Sequence, residues 1–135
     1  MKVPAANPLN RSLSEGIRTL GFRRWYEREL LSGHAHLVLL LLAVVGVMGC
    51  LEVMSSLPAA ERLLDAFYAV VCALIGVWAL RRYLFLLMRA ESIANQANCP
   101  RCQVYGRLRL ADTPPQAGRT AVRCRACDQA WVIEE

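Results

Sequence analysis

Lysine is almost missing from this chain: Lys2 is the only one, and arginine supplies the rest of the 16 basic residues. Charge as a whole is scarce, at 20% of 135 residues, and none falls between Gly33 and Leu51. With 56% hydrophobic residues and a mean hydropathy of +0.29, that scarcity excludes an ordinary soluble globule, which needs a larger charged fraction to cover its surface. No serine, cysteine and histidine constellation suggests a nucleophile with its base, and no glycine-rich loop suggests a nucleotide cradle, so no enzymatic activity is expected. Histidine is limited to His34 and His36, which lie two apart and point to different sides of a helix. The later apolar run brings no histidine to complete a haem pair, so these two are read as hydrogen-bonding residues at a membrane edge.

What is present begins with two apolar runs. Leu37 to Val45 is apolar on every helical face, and the uncharged stretch around it is long enough to cross a bilayer. The second run, Ala66 to Leu80, is shorter and reaches spanning length when Leu63, Leu64 and the stems of Arg81 and Arg82 are included. Ser55-Ser56-Leu57-Pro58 reads as a turn, with Pro58 opening the next helix. The expectation is an antiparallel transmembrane hairpin. Small residues recur on both runs: Ala43, Gly46 and Gly49 on the first, and Ala69, Ala73, Gly76 and Ala79 on the second. Such stripes let helices approach closely, either within the hairpin or against helices of a larger membrane protein or a second copy.

Six basic and three acidic residues precede the first run, and Arg81, Arg82 and Arg89 follow the second. The positive-inside rule therefore places both termini in the cytoplasm of an inner (plasma) membrane, multi-pass, with the turn outside. The long leading arm argues against signal cleavage and against lipidation of Cys50. Within that arm Leu13, Ile17 and Leu20 are at helical spacing, and Trp25 and Tyr26 stand among arginines and glutamates. This pattern predicts an interfacial amphipathic helix, with Trp25 and Tyr26, like Arg81 and Arg82, at the headgroup layer. Residues 1–10, with two prolines, are expected to be irregular. Arg81 to Glu91 has no proline or glycine, so the second helix should run on to about Asn95, where Leu84, Leu87 and Met88 form an apolar side in need of cover.

Cysteine is concentrated where the membrane signal ends. Cys99-Pro100-Arg101-Cys102 and Cys124-Arg125-Ala126-Cys127 are separated by 21 residues, close to the spacing of four-cysteine metal sites. Two residues between cysteines put both thiolates on one face of a tight knuckle, and two knuckles close a tetrahedron. Strands are expected at Val104 to Leu110 and Ala121 to Cys124, joined by the turn-rich stretch Asp112 to Gly118. Cys-Pro-x-Cys followed by Val122-Arg123-Cys124-x-x-Cys127 and Trp131 resembles the small prokaryotic four-cysteine zinc-ribbon domains, over about Asn98 to Ile133. The resemblance implies a β zinc ribbon with Cys99, Cys102, Cys124 and Cys127 as ligands and Trp131 in its small core. Those ribbons usually carry glycine after each knuckle, where this chain has Gln103 and Asp128.

Four cysteines can also pair as disulfides, but a cytoplasmic tail keeps them reduced. Iron in a rubredoxin-like tetrathiolate accepts the same ligands as zinc. Nucleic acid is disfavoured, because four thiolates around a divalent ion cancel the tail's small excess of arginine over carboxylate. The expectation is thus a cytoplasmic arm over 1–33, a hairpin with a helical extension over 34–95, and a ribbon over 96–135. Together they suggest an accessory or adaptor protein of a larger membrane complex, with a tethered electron carrier and a nucleic-acid regulator as alternatives.

Overall fold

The computed structural model describes residues 12–114 and 116–135, so the expected irregularity of 1–10 lies outside the described residues. Three helices, α1 (Leu13–Leu20), α2 (Phe22–Met54) and α3 (Ala59–Gln96), precede three short strands, β1 (Leu108–Leu110), β2 (Arg119–Cys124) and β3 (Ala130–Glu134). The helices and strands sort into two compact units. One comprises the described residues up to Glu29 together with Met88–Glu135, and the other is Leu30–Leu87.

In the unit Leu30–Leu87 both helices are long and apolar enough to cross a membrane by length and composition. Their apolar side chains are largely uncovered: Val45 is 68% exposed and Leu74 66%. Such a surface is unfavourable in water over this extent. The helices meet along small residues, where a Cβ on Gly76 would stand 3.2 Å from the Cβ of Ala43 and one on Gly46 3.0 Å from the Sγ of Cys72. Gly49 has nothing within 4 Å, Ala73 is exposed and Ala69 half-buried, so only part of the expected stripe forms the seam. Pro58 precedes α3 as its cap, its carbonyl accepting from the Arg62 amide at 3.0 Å. His34 and His36 each bond, through Nδ1, to the carbonyl four residues earlier at 2.7 Å, and His36 packs on Trp78.

The other unit has a conventional core. The arm breaks at Gly21, whose φ of 81° ends α1 and lets α2 begin at once. Ser12 caps α1, accepting from the Glu15 amide, a serine and glutamate spaced as in a capping box. Leu13 and Ile17 of α1, Phe22 and Trp25 of α2, and Ile93 and Ala97 of α3 close over Leu108, Val122 and Ile133 of the sheet. Trp25, expected to face a headgroup layer, is instead covered by protein: only 2% of it is exposed, and its ring lies so close to α1 that a Cβ on Gly16 would overlap it. Tyr26 is half-buried against the same core. The amphipathic arm finds its apolar partner in the sheet and in the end of α3. Hydrophobic spacing alone does not distinguish such a partner from a lipid surface.

The end of α3 also differs from expectation. It reaches Gln96, but Leu84, Leu87 and Met88 remain exposed, and the buried positions are Leu86, Ala90, Ile93 and Ala97. Small Ala90 and Ala97 permit close packing, whereas the bulkier stripe stays open. The sheet is open and antiparallel in the order β1-β2-β3, with Val122 opposite Leu110 on one side and Trp131 on the other. The first expected strand is shortened to Leu108–Leu110, and β3 is an addition. Trp131 is half-buried at the edge of the core, its Nε1 donating to the Gln96 carbonyl at 3.0 Å, while Ile133 is fully buried.

Two polar side chains fasten this unit and were not apparent from the sequence. The Gln96 amide bonds both ways with the Glu134 backbone, its Nε2 to the carbonyl and its Oε1 from the amide, each at 2.9 Å. Glu135 accepts from the Leu13 amide at 3.1 Å and from Arg89 at 2.8 Å, joining the start of α1 to α3.

Candidate metal centre

The site is built by two turns of the same design. Cys99 donates its amide to Val104 O and accepts at its carbonyl from Gln103 N, at 3.1 and 3.0 Å. Cys124 does the same with Gln129 O and Asp128 N, at 2.9 and 3.2 Å. In each knuckle the first cysteine is thus pinned to the residues four and five positions on, which turns the second thiol back beside the first. The chain completes each turn with positive φ, 60° at Gln103 and 63° at Asp128, the two non-glycine residues among those described to do so. These are the positions where zinc ribbons usually have glycine. Asp128 is supported there by ion pairs to Arg109 at 2.8 Å and Arg123 at 3.0 Å, whose charges hold its carboxyl below the usual carboxylate range.

The knuckles bring Cys99, Cys102, Cys124 and Cys127 together with all four Sγ atoms within 4.8 Å of one another. Across the knuckles, Cys99 and Cys127 are 3.5 Å apart and Cys102 and Cys124 3.6 Å. A tetrahedron with metal–sulfur bonds of about 2.3 Å has edges of about 3.8 Å, so the donor set fits a tetrathiolate ion with little adjustment. The same distances exceed a disulfide bond by well over an ångström, and all four are free thiols.

Electrostatics prepare the site for a cation. Burial pushes the Cys99 thiol up, but the backbone N–H groups of Cys102 and Arg101 outweigh it and bring it down to about 6. Cys124 is lowered by the amides of Cys127 and Ala126, the latter 3.3 Å from its sulfur. Cys102 receives the Val104 amide, which lowers its pKa, yet burial and the neighbouring sulfurs push it up to about 12. Backbone amides thus favour the ionised form at Cys99 and Cys124, whereas burial and the neighbouring sulfurs oppose it at Cys102.

The remaining sequence candidates lie elsewhere. Arg81 is exposed and Arg82 lies over the Phe85 ring, both within the unit Leu30–Leu87, as are the glycines and alanines of the stripes. Compared with protein-family models, with curated proteins and with solved structures, the chain finds no match.

Proposed function

We propose that this chain is a non-catalytic integral membrane protein, an accessory or adaptor subunit, in which α2 and α3 form a transmembrane hairpin and the C-terminal sheet is a zinc ribbon that docks on a larger membrane complex. The observation that carries the reading is the four-sulfur cluster on paired knuckles, in a chain whose two long helices leave their apolar faces uncovered. Zinc suits four thiolates at these separations, and a closed tetrathiolate offers no coordination position to water or substrate. The ion then supplies folding free energy to the knuckles and the sheet, in addition to the core they share with α1, α2 and α3. The arginine-rich flanks support an inner-membrane location with both termini in the cytoplasm, where the thiols stay reduced.

The test is native purification from membranes, with metal analysis and identification of co-purifying proteins. The expected result is about one zinc per chain, no visible absorption and a stoichiometric membrane partner. Iron with visible charge-transfer bands would replace this reading with a membrane-tethered electron carrier. Recovery of the chain in the soluble fraction without detergent would overturn the hairpin.

A further inference from the structure

Several arginines of the ribbon unit are held by carboxylates within it. Arg109 and Arg123 are paired with Asp128, Arg119 with Glu134, and Arg89 with Glu135. Arg24, Arg107 and Arg125 enter no ion pair with a described residue, and all three line one cleft of about 470 Å³, together with Arg23. No carboxylate among the described residues lines it. The cleft lies between the start of α2 and the loop that precedes β1, which a backbone bond from Arg125 N to Arg107 O, 2.9 Å, holds against the second knuckle. Gly106 approaches the Phe22 ring there in a positive-φ conformation.

The placement of Arg23 and Arg24 is unfavourable without a ligand. They occupy the first turn of a 33-residue helix that has no acidic residue in that turn, so two cations face the positive end of the helix dipole. Gly21 has no side chain to cap the free amides of that turn. Arg23 is paired with Glu27 at 3.1 Å, whereas Arg24 stands at the same helix end with no ion pair to a described residue, and a local rule broken in this way is characteristic of a binding site.

We propose that this cleft binds the phosphate group of a small organic ligand, as a diphosphate or a phosphomonoester. Guanidinium groups pair with phosphate oxygens in two-point contacts, and three without an ion-pair partner among the described residues favour a group carrying at least two negative charges. The volume exceeds what one phosphate fills and lies in the range of small-molecule sites, and Phe22 gives the cleft an apolar wall for the organic part. The phosphate can come from a soluble metabolite or from a lipid headgroup.

The experiment uses full-length, zinc-loaded protein. In a zwitterionic detergent it is titrated with inorganic pyrophosphate, followed by calorimetry. In a second arm it is reconstituted into phosphatidylcholine nanodiscs with and without phosphatidic acid, followed by the cleft's protection of Arg107 and Arg125 from a guanidine-modifying reagent. Saturable pyrophosphate binding, weakened at least tenfold by the double variant Arg107→Gln, Arg125→Gln and unchanged by Arg101→Gln, identifies a soluble phosphate ligand. Protection that requires phosphatidic acid, without pyrophosphate binding, identifies the lipid source. Equal weakening by Arg101→Gln, or no effect in either arm, would overturn the proposal.

Discussion

The same two helices meet two different standards of packing. In the unit that ends at Glu29 and resumes at Met88, Trp25, Ile93 and Ala97 are at most 2% exposed in a core shared with the sheet. Within Leu30–Leu87 the large residues Val38, Leu42, Val70 and Trp78 are all more than half exposed. Composition does not explain the contrast, because both stretches are rich in Leu, Val and aromatic residues. The difference is that one stretch is amphipathic with a partner surface, whereas the other is apolar all round, which suits a lipid solvent. One unit has a buried core and carries the four-thiol cluster and the other leaves its apolar surface uncovered, so perturbations of one should leave the other's signal in place.

The largest effect expected is from the cysteines. Cys99→Ser or Cys124→Ser, or chelation of the ion, should unfold the sheet and release the arm, since structural zinc contributes on the order of 10 kcal/mol to modules of this kind. Limited proteolysis and near-ultraviolet circular dichroism would report the loss, while far-ultraviolet helicity from Leu30–Leu87 and membrane insertion persist. Acid should act in the same direction. Protons compete for thiolates, and the Asp128 carboxylate, lowered by Arg109 and Arg123, contributes stability that is present above its unfolded pKa and lost as pH falls through its folded one. Zinc release measured against pH should therefore rise steeply on the acid side. Concerted loss of both units in either experiment would break the contrast.

Next in size is Trp25→Ala, expected to cost about 3–5 kcal/mol in chemical denaturation of the ribbon unit. Trp78→Ala, at a residue 54% exposed, should leave that transition unmoved. Gly16→Ala should be smaller but still destabilising. Alanine improves helix propensity by up to about 1 kcal/mol, yet its Cβ would overlap the Trp25 indole, and overpacking costs about 1–3 kcal/mol. If Gly16→Ala stabilised the unit, Trp25 would have to be less firmly seated than its burial indicates.

Much of this was legible in the sequence where a pattern has a single physical interpretation. Two cysteine pairs 21 residues apart announce the four-sulfur cluster, and a chargeless stretch from Gly33 to Leu51 announces a long apolar helix. Patterns with two interpretations misled. Leu13, Ile17 and Trp25 satisfy an interfacial helix and a helix that covers a sheet equally well, and only the tertiary partner decides. Leu84, Leu87 and Met88 outrank Ala90 and Ala97 in hydrophobicity, but the closest packing went to the small residues. Gln96 and Glu135 were invisible because their roles depend on backbone groups of Glu134 and Leu13, far away in sequence.

The smallest effect separates the two knuckles. Gln103 and Asp128 both hold φ near +60°, which costs a residue with a Cβ about 1–2 kcal/mol relative to glycine, while glycine returns about 0.4–1 kcal/mol to the unfolded chain as entropy. No side-chain hydrogen bond of Gln103 to a described residue offsets its strain, so Gln103→Gly should stabilise the ribbon unit by up to about 1 kcal/mol. At Asp128 the same relief is set against two exposed ion pairs, so Asp128→Gly should stabilise less than Gln103→Gly. Denaturation of zinc-loaded protein measures both, with the helical signal of Leu30–Leu87 as the internal reference. If Asp128→Gly stabilised as much as Gln103→Gly, the arginine pairs would contribute nothing, and backbone strain alone would govern both turns.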